Sequence, residues 1–428
     1  MPPSSPITRW LERRGDAAIV LYGSVAAFGA YFCMYAFRKP FAAGSYEGLE
    51  AFGLDLKTAL VVAQVLGYAL SKFASIKLLS ELPSARRLAL LLSLIAVAEL
   101  GLLGLVVLPP ELKVVALFVN GLPLGAVWGL VFSFLEGRRT SEILGATLSM
   151  SYIVASGAVK SVGRALMEAG VPELAMPAVT GALFLPAFAT LCWLLSRLPA
   201  PDAGDHRARS PRSPMQRQQR LEFLRRHALG LFCLTALYVA LTAFRDFRDN
   251  YAIELWSALG RGAEPAILTT AELPVAASVM LALALIFLVR DNRRALLTTH
   301  AIMLAGSLLI LGSTLLFTES FIEGSTWMVL VGSGLYLGYV PFGCVLFDRL
   351  MALTRSPGTA VFMIYVTDAA GYAGSVCLLL FKRFASPDLP WLSFFTSLSL
   401  LTGAACALGV LASALYFGRE SLVPQSDP

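Results

Sequence analysis

Long, mainly apolar runs constrain this chain more than any other feature. Ala17 to Phe37, Ala59 to Leu79 and Leu88 to Leu108 are each long enough, as helices, to cross a hydrocarbon core of about 30 Å. Lipid offers the backbone no hydrogen-bond partners, so such runs must be helices. Composition agrees: 57% of the 428 residues are hydrophobic and 14% charged, where a soluble domain carries roughly 25% charged residues. The chain is therefore expected to be an all-α membrane protein. The first run is too long for the apolar part of a signal peptide, and no small-residue cleavage site follows it, so it is expected to be retained.

Twelve spans are predicted, at 17–38, 58–79, 88–108, 113–135, 143–166, 177–198, 228–247, 267–290, 296–317, 325–347, 357–380 and 391–415. They divide into a six-helix bundle over 1–198 and a second over 227–418. A basic linker at 199–226 joins them, and 419–428 form a tail. With the N-terminus inside, Lys and Arg on the internal segments outnumber those on the external ones about two to one. Both termini are expected in the cytoplasm, with the chain in a plasma (bacterial inner) membrane. The linker holds Arg207, Arg209, Arg212, Arg217, Arg220, Arg225 and Arg226. Such a run is attracted to an anionic leaflet, and nucleic acid is not an expected partner. A short surface helix is predicted to close the linker, ending at Arg226.

The two bundles echo each other. Tyr31…Ala36-Phe37-Arg38 recurs as Tyr238…Ala243-Phe244-Arg245 at a constant offset of 207, and Gln64 and Glu272 stand near the start of the next span in each half. Parallel repeats of six spans characterise the major facilitator fold.

Polar residues within spans carry the functional signal. A charge at the centre of a membrane helix costs about 2.5–3.5 kcal/mol on insertion scales, so it faces water, a partner or a ligand. At helical spacing, Tyr31, Tyr35 and Arg38 share a face of the first span. Gln64, Tyr68, Ser71, Lys72 and Ser75 share a face of the second, and Ser149, Tyr152, Ser156 and Lys160 one of the fifth. The seventh carries Tyr238, Thr242 and Arg245, and the eleventh Tyr365, Asp368 and Tyr372. The stripes are mainly cationic and aromatic. Guanidinium offers a planar fork that matches phosphate or carboxylate. One such fork from each half, with Lys72 adding charge, suits a small dianion. The bland reading stays open: Arg38 and Arg245 snorkelling to headgroups, Asp368 holding helices together, and Glu99 facing away from any cavity.

The segment Tyr31-Phe-Cys-Met-Tyr-Ala-Phe-Arg38-Lys39-Pro-Phe41-Ala, with Gly67-Tyr68-Ala-Leu-Ser71-Lys72-Phe73, resembles the organophosphate:phosphate antiporter branch of the major facilitator superfamily. That branch includes the glycerol-3-phosphate and hexose-phosphate transporters. The resemblance implies that Arg38 and Arg245 bind phosphate, that Lys72 supports them, and that exchange against phosphate drives transport. Two departures stand out. Lys77, Glu81 and Leu82 replace the branch's Gly…Asp-Arg loop after span two, and Ser156 stands where the branch has histidine.

The expectation is a secondary transporter of a small organic anion, with a phosphate ester as the form the resemblance implies. Arg38, Arg245 and Lys72 would bind it. Tyr31, Tyr35, Tyr68, Tyr152, Lys160, Tyr238, Tyr365 and Asp368 would shape the pocket, and Asp368 or Glu272 would carry any coupling proton. The alternative is a non-transporting sensor of a small anion on the same fold. No catalytic constellation or metal-ligand spacing is visible, so neither enzyme activity nor a cofactor is expected. The six cysteines all fall in apolar runs and read as small buried hydrophobes. The chain is expected to be a monomer in the bilayer.

Overall fold

The computed structural model describes residues 5–80, 83–138, 140–202, 205, 217–262, 264–289, 291–354 and 360–420. Two compact units emerge: Met1–Ser210 with Glu264–Thr269, and Pro211–Ala263 with Thr270–Pro428.

The first unit begins with a short amphipathic helix, α1 (Pro6–Arg14), capped by the Ser5 side chain, which accepts from Thr8 N at 3.1 Å. Gly15, at φ +77°, breaks the helix before α2 (Asp16–Met34). Then come two 3-10 turns, Tyr35–Phe37 and Pro40–Ala43, and a small antiparallel hairpin of β1 (Glu50–Ala51) and β2 (Leu54–Asp55). Five more long helices follow: α3 (Leu56–Ser80), α4 (Arg87–Val107), α5 (Pro110–Phe132), α6 (Ser141–Glu168) and α7 (Met176–Leu195). The second unit holds α8 (Arg217–Arg226), α9 (Ala228–Asn250), α10 (Ala252–Ala258), α12 (Glu272–Phe287), α13 (Asn292–Thr318), α14 (Gly324–Cys344), α15 (Leu346–Leu353), α16 (Ala360–Ala385) and α17 (Trp391–Glu420). A single turn, α11 (Ile267–Thr270), precedes α12.

Among the described residues, ten helices are long and apolar enough to cross a membrane. The 25-residue α3 and the 26-residue α16 also have membrane-crossing length. Of these, α3 carries Lys72 and α16 carries Asp368. These twelve helices fall in the order of the predicted spans. The helix predicted to close the linker is α8, ending at Arg226.

Helix contact in the first unit is set by missing side chains. A Cβ on Gly67 of α3 would lie 2.3 Å from the Phe118 carbonyl oxygen, and one on Gly121 of α5 would lie 2.4 Å from that of Gln64. The α3 and α5 backbones therefore touch, as small-xxx-small patterns allow in membranes. In the second unit Gly306 of α13 and Gly334 of α14 meet in the same way. At the base of the first unit, Arg138 donates to the Pro199 carbonyl. Burial lowers its guanidinium pKa, against the opposing pull of Asp205, Asp202 and Asp16. Three of the six cysteines are buried (Cys33, Cys192 and Cys406), but Cys377 is exposed, so the buried-hydrophobe expectation fails there.

Candidate functional site

Arg38 follows the point where α2 stops being an α-helix. The chain tightens into the 3-10 turn Tyr35–Phe37, and the amides of Arg38 and Lys39 both donate to the Tyr35 carbonyl, at 3.0 and 2.9 Å. A helix that ends inside a bundle leaves carbonyls needing donors. Two side chains supply them. Asn120 of α5 donates to the Phe37 carbonyl at 2.9 Å and to that of Ala98 on α4 at 2.8 Å. Gln64 of α3 donates to the Arg38 carbonyl at 2.9 Å and to Asn120 Oδ1 at 2.7 Å. Asn120 has 0% exposure and Gln64 3%. The Arg38 backbone is thus fixed by two amides from two other helices.

The Arg38 side chain is directed onto aromatic rings. Its Cζ lies 3.9 Å from the Tyr68 ring centre and 5.7 Å from that of Tyr35. Lys72 Nζ lies 5.6 Å from the same Tyr68 ring. Tyr31 meets Tyr35 edge-on at 5.7 Å between ring centres. Five predicted residues (Tyr31, Tyr35, Arg38, Tyr68 and Lys72) are therefore gathered in one cluster. Cation–π contacts of this kind are worth about 0.5–2 kcal/mol, most when desolvated. Arg38 is only 5% exposed.

Tyr152 and Lys160 lie on α6, which packs along α2 and both 3-10 turns. Ser149, Ser156 and Lys160 are buried and Tyr152 is half-buried. Just past Arg38, Glu173 gathers the amides of Ser45 and Tyr46 at 2.6 and 3.1 Å. Tyr46, folded under with φ 52°, donates its hydroxyl to the Phe41 carbonyl at 2.9 Å. Burial raises the Tyr46 phenol pKa, and Glu173 adds to it.

Residues 40–420 match a family described as a family of unknown function, DUF5690. The chain belongs to that family. No curated protein matches it. Solved structures do. A D-xylose–proton symporter aligns over 92% of this chain and 96% of its own, with TM-score 0.61 and 10% identity. The nucleoside transporter NupG aligns over 93% and 99%, with TM-score 0.60 and 13% identity. The major facilitator superfamily proton:xylose symporter XylE, bound to 6-bromo-6-deoxy-D-glucose, aligns over 92% and 94%, with TM-score 0.55 and 13% identity. This DUF5690 protein therefore has the major facilitator fold.

The second unit of the DUF5690 protein repeats the position of Arg38 but not its chemistry. Arg245 donates from Nε at 3.1 Å and Nη2 at 2.7 Å to Oδ1 of Asp246, the next residue. Its Cζ lies 4.4 Å from the Tyr339 ring centre. The Tyr238 hydroxyl hydrogen-bonds the Asp368 carboxylate and lies 3.0 Å from the Tyr339 hydroxyl. Tyr238, Arg245 and Asp368 are thus brought together through Tyr339. The side chain of Tyr365 lies outside the described residues, as do that of Lys77 and the whole of Glu81 and Leu82.

Glu272 is placed differently from its expected equivalence with Gln64. Its Oε1 accepts from Arg248 Nη1 at 2.8 Å, and Arg248 also donates to the Met328 carbonyl at 3.1 Å. Glu272 is an ion-pair partner joining α12 to α9, whereas Gln64 is a backbone cap. The offset of 207 matches sequence positions only: Arg38 follows a 3-10 turn, whereas Arg245 lies inside the continuous helix α9. Asp246, Arg248, Asn120 and Tyr339 escape a reading of spans one face at a time. A usable signal was present in the doublet Phe244-Arg245-Asp246-Phe247-Arg248-Asp249, which puts two acids beside two arginines across the end of the predicted span 228–247.

Proposed function

We propose that this DUF5690 protein is a secondary transporter of a small organic anion, working by alternating access. Arg38 and Arg245 bind the anion and Lys72 supports them. The observation that carries this reading is the Arg38–Tyr68–Lys72 cluster. It holds two cations on one ring, Arg38 buried just past the end of α2 and Lys72 half-buried within α3, a helix long enough to cross a membrane. Cations in such a place are costly, and a ligand of opposite charge repays them during the transport cycle.

The similarly folded D-xylose–proton symporter and nucleoside transporter support transport as the activity. Xylose and nucleosides are uncharged polar molecules. The cationic interior here favours an anion instead, and guanidinium forks favour one with two or more oxygens. A phosphate ester exchanged against phosphate is the cargo that the sequence resemblance implies. Tyr31, Tyr35, Tyr68, Tyr152, Lys160, Tyr238, Tyr365 and Asp368 shape the pocket. Asp368, bonded to Tyr238, is the better placed of the two coupling candidates, because Glu272 is engaged by Arg248.

Uptake into proteoliposomes tests the reading. Arg38→Lys and Arg245→Lys keep the charge and remove the fork. Each is expected to lower uptake of a phosphate ester at least about tenfold, equivalent to 1.4 kcal/mol. Wild-type rates in both variants sink the assignment of the two arginines. Binding without flux in the wild-type protein would turn the reading into one of sensing.

A further inference from the structure

Resting on the anion-transport reading, we propose that Asp246 is an internal competing anion. Its carboxylate occupies Arg245 when substrate is absent, and it must yield the guanidinium before a substrate anion can take it.

The geometry is particular. Asp246 Oδ1 accepts from both Nε and Nη2 of Arg245. That is the side-on edge of the fork, the same pair of N–H groups that a phosphate or carboxylate oxygen would use. Neighbouring residues on a helix point in different directions and do not normally face each other, so this contact is not a default of helix geometry. It is held from the other side: Ser375 of α16 donates to Asp246 Oδ2 at 2.7 Å. The carboxylate is clamped between a hydroxyl on one helix and a guanidinium on another, with a side-chain exposure of 4%.

Arg248, one turn further on, shows what a purely structural arginine looks like here. It is bonded to Glu272 and to the Met328 carbonyl, and its Nη2 would lie 2.7 Å from a Cβ on Gly332. Three contacts from two helices, α12 and α14, lock it in place. Among the described residues, Arg245 hydrogen-bonds Asp246 alone, rests on the Tyr339 face and keeps 13% exposure, about twice that of Arg248 at 6%. It is the arginine of the doublet that can exchange its partner.

A tethered rival sets a threshold. A ligand reaches Arg245 only if it outcompetes a carboxylate already bonded and already desolvated. A monoanion such as acetate offers nothing that Asp246 does not. A phosphate dianion brings more charge and more oxygens. Asp246 therefore acts as a selectivity filter for multiply charged anions, and its cost appears as a weaker apparent affinity for all of them.

The test is calorimetric titration of the purified full-length chain with inorganic phosphate and with acetate. Asp246→Asn is expected to bind phosphate about tenfold more tightly, within the usual range of coupling between sites. Acetate should gain at least as much, so the preference for phosphate narrows. Ser375→Ala leaves both charges in place and only loosens the clamp; it should shift phosphate affinity the same way by about two- to threefold. If Asp246→Asn does not fold, Ser375→Ala decides alone. Phosphate affinity equal to or weaker than wild type in folded variants overturns the proposal. Arg38→Gln is titrated alongside. Binding that depends on Arg38 but ignores Asp246 and Ser375 overturns the competing anion and leaves the transport reading standing. Absence of phosphate and acetate binding in the wild type and in every variant overturns both.

Discussion

Asn120 carries no charge and touches no lipid, yet it fixes the position of Arg38. Its amide bonds the Phe37 and Ala98 carbonyls and accepts from Gln64. Asn120→Ala would strand the Phe37 carbonyl and one N–H of the Gln64 amide, each at about 1–3 kcal/mol if left unsatisfied. The thermal midpoint is expected to fall by at least about 5 °C, and phosphate binding should weaken with it as the Arg38 turn loosens. An unchanged midpoint would show that the cap is dispensable. Arg38, Lys72 and their tyrosines were legible because a charge inside a span is conspicuous. Asn120 was not, because nothing in its own span announces that a carbonyl 83 positions earlier needs a donor. Asp246 was overlooked for a related reason: adjacent residues are assigned to different helix faces, and only Ser375 on a distant helix shows why this one turns toward Arg245.

Helices here meet where glycine removes the side chain. Gly67, Gly121 and Gly125 bring α3 against α5, and the carbonyls opposite them cannot retreat as a flexible side chain would. Gly121→Ala is expected to abolish or greatly reduce the yield of monodisperse protein on size-exclusion chromatography. Gly312→Ala, where a Cβ meets nothing within 4 Å, should behave as wild type. Normal yield from Gly121→Ala would mean that the α3–α5 contact can relax. The element boundaries were well anticipated, since length and apolar content define a span. The break after Met34 and the pairing of α3 with α5 depend on contacts between residues far apart in sequence.

At the scale of the molecule, the twelve predicted spans and the bias of Lys and Arg carry the proposal that both termini lie in the cytoplasm. With the six native cysteines removed, single cysteines at Glu47 and Asp388 should react with an impermeant maleimide on intact cells. A cysteine at Asp202 should react only after permeabilisation. Labelling of Asp202→Cys on intact cells would reverse the proposed orientation. The repeat at offset 207 shows how far a sequence echo reaches at this scale. It marks two arginines, but one follows a 3-10 turn and stacks on Tyr68 beside a lysine, and the other lies within a helix and is bonded to an aspartate.

The sequence by itself determined that the chain is helical and built for lipid, because a backbone in hydrocarbon has no other way to satisfy its hydrogen bonds. It also determined where charge would be exceptional. Tertiary structure alone decided what each charge does. Whether an arginine rests on a ring, pairs with its neighbour or bridges two helices depends on which atoms other helices bring within about 3 Å, the reach of a hydrogen bond.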